Sequence, residues 1–70
     1  MNEAEYCEYL ITLHFEKVQD TLIAIECAMI TVATLLNELQ ILNFVDKQIT
    51  FWKKVYKLLQ YEYGLYSQNS

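Results

Sequence analysis

From Ile11 onward, apolar side chains return along the chain at alternating steps of four and three. Phe15, Leu22, Met29 and Leu36 form one sevenfold row, and Ile11, Val18, Ile25, Val32 and Leu39 form a second. All nine positions are apolar, and the phase runs past Asp20 without a slip. This is the pattern of an amphipathic helix with a coiled-coil-like seam. Asn2 followed three residues on by Glu5 resembles a capping box, with Met1 and Tyr6 placed as a hydrophobic staple. The pattern therefore predicts one long helix over residues 3–42, about 60 Å at 1.5 Å per residue. Asp20 could cap a new helix and make a three-helix chain, but a reverse turn there has no reason to keep the heptad phase. The β-branched residues Ile23, Ile25, Ile30 and Val32 would also suit strands, yet no turn signal separates candidate strands.

Asn43 and Asp46 mark the expected break, and a second helix is predicted over residues 44–63. Phe44, Phe51, Leu58 and Leu65 make one row, Val45, Trp52, Leu59 and Tyr66 the next, and Ile49, Val55 and Tyr56 widen the face. Lys47, Thr50, Lys53, Lys54, Lys57 and Gln60 fall on the other side. Gly64 stands where a helix-ending glycine belongs, leaving 64–70 as a frayed tail. The expected fold is all-α: one domain over 1–70, an antiparallel helical hairpin completed by oligomerisation or a partner chain. Its seam would join Ile11, Phe15, Val18, Leu22, Ile25, Met29, Val32, Leu36 and Leu39 to Phe51, Trp52, Val55, Leu58 and Leu59.

Two apolar groups are left over. A first helix twice the length of the second overhangs it, exposing Tyr6, Tyr9, Leu10, Ile11, Leu13 and Phe15. A further row, Ile23, Cys27, Ile30, Thr34 and Ile41, lies roughly opposite the seam, where a hairpin does not reach. Burying one isoleucine contributes roughly 1.5–3 kcal/mol, so leaving this row in water forfeits several kcal/mol and invites aggregation. The expected partner interface is therefore Tyr6, Tyr9, Leu10, Leu13, Ile23, Cys27, Ile30 and Ile41. A three-helix monomer that covers both faces itself is the alternative.

Composition narrows the function classes. In 70 residues, 54% are hydrophobic, with one glycine and no proline, which argues against a multi-turn β or α/β fold and against disorder. Residues 1–42 carry seven acids and one lysine, and residues 43–70 carry four lysines and two acids. The net charge of −4 and the absence of arginine argue against a phosphate or nucleic-acid reader. Tyr56, Tyr61, Tyr63 and Tyr66 interleave with lysines in a way that superficially suits base stacking, but aromatic anchors of a protein interface suit an acidic chain better. Cys7 and Cys27 form no CxxC motif, and His14 has no neighbouring ligands, so no enzyme, cofactor or metal site is expected. Glu26 is read as a water-facing carboxylate, or as a register determinant for a lysine of a facing helix. An acidic start and an apolar run over 21–36 that falls short of a bilayer lead to the expectation of a cytoplasmic protein rather than a secreted or spanning one.

Size, hairpin layout and an aromatic-rich end of the second helix (Leu58, Leu59, Tyr61, Tyr63) resemble the small cochaperones of type III secretion needle subunits. The resemblance spans the chain as a pattern and rests on no diagnostic motif. It implies a heterocomplex with a larger helical-repeat chaperone, the two together keeping an aggregation-prone needle protein soluble. The long first helix and the tyrosines near Met1 depart from that pattern. The expected function is a protein–protein interaction module of the cochaperone or adaptor kind. The alternative is a homodimer forming a four-helix bundle, with a regulatory and even nucleic-acid-binding role.

Overall fold

The computed structural model describes residues 1–42 and 46–68, and these are all-α, with three helices. They are α1 (Glu3–Val18), α2 (Thr21–Ile41) and α3 (Asp46–Gln68). The capping box forms at the start of α1: Glu5 N–H donates to Asn2 Oδ1 at 2.8 Å and Asn2 N–H to Glu5 Oε1 at 3.2 Å.

The continuous helix over 3–42 is corrected. Gln19 adopts a left-handed conformation (φ 57°), and its N–H closes α1 on the Phe15 carbonyl at 2.8 Å. Asp20 is extended, and its carboxylate accepts from Ile23 N–H at 3.0 Å, capping α2. A left-handed residue other than glycine costs about 1–2 kcal/mol. The cap at Asp20 returns about 1 kcal/mol of this. The fold-back then buries the face of α1 that an extended helix would leave in water, and this burial decides the matter. The chain measures 38 × 20 × 20 Å, the length of α3 rather than that of a 60 Å rod.

Each helix packs on both others. His14 meets Thr31, so α1 and α2 are antiparallel. Met29 and Ala33 face Tyr56 while Glu26 faces Tyr63, so α2 and α3 are antiparallel too. Glu3 lies near Lys54 and Ile11 near Tyr66, which makes α1 parallel to α3. The core joins Cys7 and Leu10 of α1, Ala28 and Val32 of α2, and Val55 and Leu59 of α3. Ala24 and Ala28, one turn apart and fully buried, carry little side-chain bulk at the helix contacts. Tyr6 seals one end, edge-on to Trp52 at 5.0 Å, to Phe51 at 5.8 Å and to Tyr9 at 6.0 Å between ring centroids.

The end of α3 is a second correction. The helix continues through Gly64, which has no positive φ, and Ser67 Oγ donates to the Gly64 carbonyl at 3.2 Å. A single helical glycine costs only about 1 kcal/mol, too little to end a helix that the following residues continue. The expected frayed tail is thus helical as far as Gln68. The expected cap at Asn43, the positions of Phe44 and Val45, and residues 69–70 lie outside the described residues.

Candidate functional site

Helix α2 is apolar on both sides, and the bundle covers one of them. Ile25, Val32 and Leu39 point into the core, with Leu22, Met29 and Leu36 half-buried beside them. On the outer side Ile23 is 46% exposed, Ile30 67% and Ile41 70%, with Leu42 continuing the row. Cys27, in the same row, is half-buried. The Thr31 and Thr34 hydroxyls donate to the Cys27 and Ile30 carbonyls at 3.0 and 2.9 Å. Their polar groups are thereby satisfied within the helix, and the outer surface of α2 stays largely apolar.

An open groove of about 370 Å³ runs between α2 and α3, lined by Glu26, Met29, Ile30, Ala33, Tyr56 and Tyr63. A second of about 320 Å³ continues it past Tyr56 and Ala33 to Leu36, Asn37 and Gln40. The Tyr63 phenol faces the Glu26 carboxylate, which as a hydrogen-bond acceptor and by its negative charge pushes the phenol above its ordinary pKa. Within this chain Glu26 thus meets a tyrosine rather than the lysine a register determinant would need. Along α3, Thr50, Lys53, Lys54 and Lys57 edge a further hollow of about 490 Å³.

The residues expected at a partner interface divide into two groups. Leu10 is buried in the chain's own core and Tyr6 belongs to the aromatic cluster on α3, so neither overhangs the fold. Tyr9 and Leu13 are exposed on α1, Ile23, Ile30 and Ile41 are exposed on α2, and Cys27 is half-buried there. The expected seam divides at Asp20. Its α2 members face inward as described, and Val55 and Leu59 meet them from α3, with Phe51, Trp52 and Leu58 half-buried alongside. In α1, however, Phe15 and Val18 are about 40% exposed, and the inward face is Cys7 and Leu10, with Ile11 half-buried against the core beside them. The heptad phase does not cross the break, because the left-handed Gln19 rotates α1 relative to α2. No local spacing groups the groove residues Glu26, Tyr56 and Tyr63, since only the α2–α3 register brings them together. The isolated charge at Glu26 in an apolar run was the one available signal.

Charge is little used inside the chain. Among the described residues the only ion pair is Lys54 with Glu3, a long 3.9 Å on the surface. Cys7 is buried, and desolvation first, then the negative charges of Glu62 and Glu8, raise its thiol from 9.0 to about 11, which makes it a poor nucleophile. Among the described residues no three of the His, Cys, Asp and Glu side chains converge as a metal site. By length and composition α2, at 21 residues, is long and apolar enough to cross a membrane. Comparison with protein-family models, curated proteins and solved structures finds no match to this chain.

Proposed function

We propose that the chain is a non-enzymatic, cytoplasmic protein–protein interaction module whose outer α2 face is completed by another polypeptide. The observation that supports this reading is the row Ile23, Ile30 and Ile41, left half to two-thirds in water on a helix whose other side is fully used. Covering three isoleucines contributes several kcal/mol, a sizeable fraction of what a domain of this size has in total. Helix-in-groove recognition fits the arrangement, with the α2–α3 groove beside the row receiving side chains from the partner. In its narrower form the module is a small cochaperone or adaptor that shields apolar helical surface of a partner, as the type III secretion resemblance implies. The alternative is a structural homodimer with a regulatory role, in which the exposed lysines of α3 could meet nucleic acid.

A bilayer is the competing occupant, supported by the length and apolar character of α2. Opposing it, Ile25, Val32 and Leu39 would have to leave the core for α2 to insert. The test is recovery from native cells of tagged wild-type and Ile30→Asp chains, with fractionation of soluble and membrane material. The expected result is a soluble complex, or a soluble self-assembly, that Ile30→Asp abolishes. A soluble, stable wild-type monomer with nothing bound, or sedimentation with membranes until detergent is added, would overturn the reading.

A further inference from the structure

Resting on the reading that protein covers the outer face of α2, we infer that a second copy of this chain covers it. The two copies would be related by a two-fold axis parallel to the helices, so that α2 of each lies over α3 of the other.

The groove has two flanks. Along α2, at 100° per residue, Ile23, Ile41, Thr34 and Cys27 stand 60–100° outward from Glu26, forming an apolar ridge. Along α3, Gln60, Lys53 and Lys57 stand about 40–100° outward from Tyr56, forming a mainly basic ridge that Asp46, at a similar angle, ends at the first turn of the helix. The α2 ridge is edged by Glu38, and α2 holds no base at all. Lys53, Lys54 and Lys57 are all exposed, and only Lys54 has an acidic partner among the described residues. Laying α2 on α2 would bring acids together with no counter-charge. Laying α2 on α3 of the second copy matches acid to base, and the two-fold makes the match twice.

The register agrees. Glu26 faces Tyr63, and Ala33 lines the same groove as Tyr56, which sets an approximate level on α3 for each α2 position. A two-fold axis along the helices keeps these levels in the second copy. Glu38 is then level with position 51, only about 3 Å along the axis from Lys53 of the second copy. Ile30 is level with position 59, and settles between Lys57 and Tyr61 of the second copy. That contact would cover Tyr61, now 64% exposed, as well as Ile30. The hollow edged by Thr50, Lys53, Lys54 and Lys57 spans the levels of positions 32–39, which include Thr34 of the opposing ridge.

The test is a charge swap read by sedimentation velocity over a wide dilution series. Wild type is expected to reversibly reach twice its 8.3 kDa mass. Glu38→Lys and Lys53→Glu, both at exposed positions and each checked for helicity, should each weaken self-association at least about tenfold. An equimolar mixture should restore it, because a mixed dimer pairs opposite charges at both contacts. A dimer indifferent to both reversals, or reversals that mixing does not rescue, would overturn the α2-over-α3 pairing. Wild type that stays monomeric while Ile30→Asp still loses a co-purified protein would overturn self-association and leave the docking face standing. Wild type that stays monomeric with no partner dependent on Ile30 would remove both.

Discussion

Two residues apart on α2, Ile30 and Val32 stand on opposite sides of the same helix, and an aspartate at each should have very different consequences. Val32 is fully buried against Cys7, Leu10, Val55 and Leu59. Val32→Asp loses roughly 1.5–2 kcal/mol of apolar burial. It also places a carboxyl group where no polar partner stands, adding about 2–3 kcal/mol even if the group stays protonated. The total of about 3.5–5 kcal/mol compares with a stability of roughly 3.5–10 kcal/mol for a 70-residue domain. Ile30 is two-thirds exposed, so Ile30→Asp on the lone chain loses about 1 kcal/mol of packing and a few tenths in helix propensity. Urea denaturation followed by circular dichroism, at protein concentrations low enough to dissociate any complex, should therefore separate the variants by about 3 kcal/mol. Size-exclusion with light scattering at high concentration should show that folded Ile30→Asp has nevertheless lost association. Equal losses of stability in the isolated chain would mean that the two faces of α2 have been assigned wrongly.

Four other outcomes follow from local geometry. Asp20→Ala removes the side-chain acceptor for Ile23 N–H and should cost about 1 kcal/mol, lowering the melting temperature by roughly 4–8 °C. Gly64→Ala should stabilise by about 0.5–1 kcal/mol in the same melts, since Gly64 is helical and an added Cβ meets nothing within 4 Å. Lys54→Ala should stay within about 0.5 kcal/mol of wild type, because its ion pair is long and exposed. For Cys7 the folded-state pKa is raised from 9.0 to about 11, so its neutral form is favoured by folding. That contribution is fully present below pH 9 and fades as the pH rises toward 11, because the unfolded thiol ionises first. Melts of wild type against Cys7→Ala across this window should show the extra alkaline loss in wild type alone.

The helical character, the α1 capping box and the inward face of α2 were legible in the residues because each rests on local spacing. Ile25, Val32 and Leu39 recur at seven and lie inward at every step. The break at Gln19 was not legible in the same way. The cap was visible in Asp20, but neither glycine nor proline marks the turn, and the left-handed residue is a glutamine. Helix α1 carries apolar residues on several faces, so a false phase through Phe15 and Val18 could be drawn as easily as the one the bundle buries at Cys7 and Leu10. Only tertiary burial separates them. The groove carries the same lesson. Glu26 and Tyr63 are 37 positions apart, and their meeting depends on the α2–α3 register rather than on any local pattern.

The fold-back at Gln19 also changes how much surface needs a partner. An extended first helix would leave two apolar regions in water, the Tyr6–Leu13 end and the outer row of α2, and would need either a large partner or two separate ones. Folding α1 onto the bundle hides Cys7 and Leu10 and seats Tyr6 on Trp52, which covers part of the first region and leaves Tyr9 and Leu13 exposed. It leaves the second intact, because α1 and α3 both approach α2 from the side of Ala24, Ile25 and Ala28. Three helices can enclose one core, and a helix that is apolar all round lies at the centre of a larger bundle. In α2 a helix apolar on two sides lies at the edge of a three-helix bundle. One further layer of helix on its outer side would put it at a centre, and a reciprocal pair of chains adds such a layer to both copies at once.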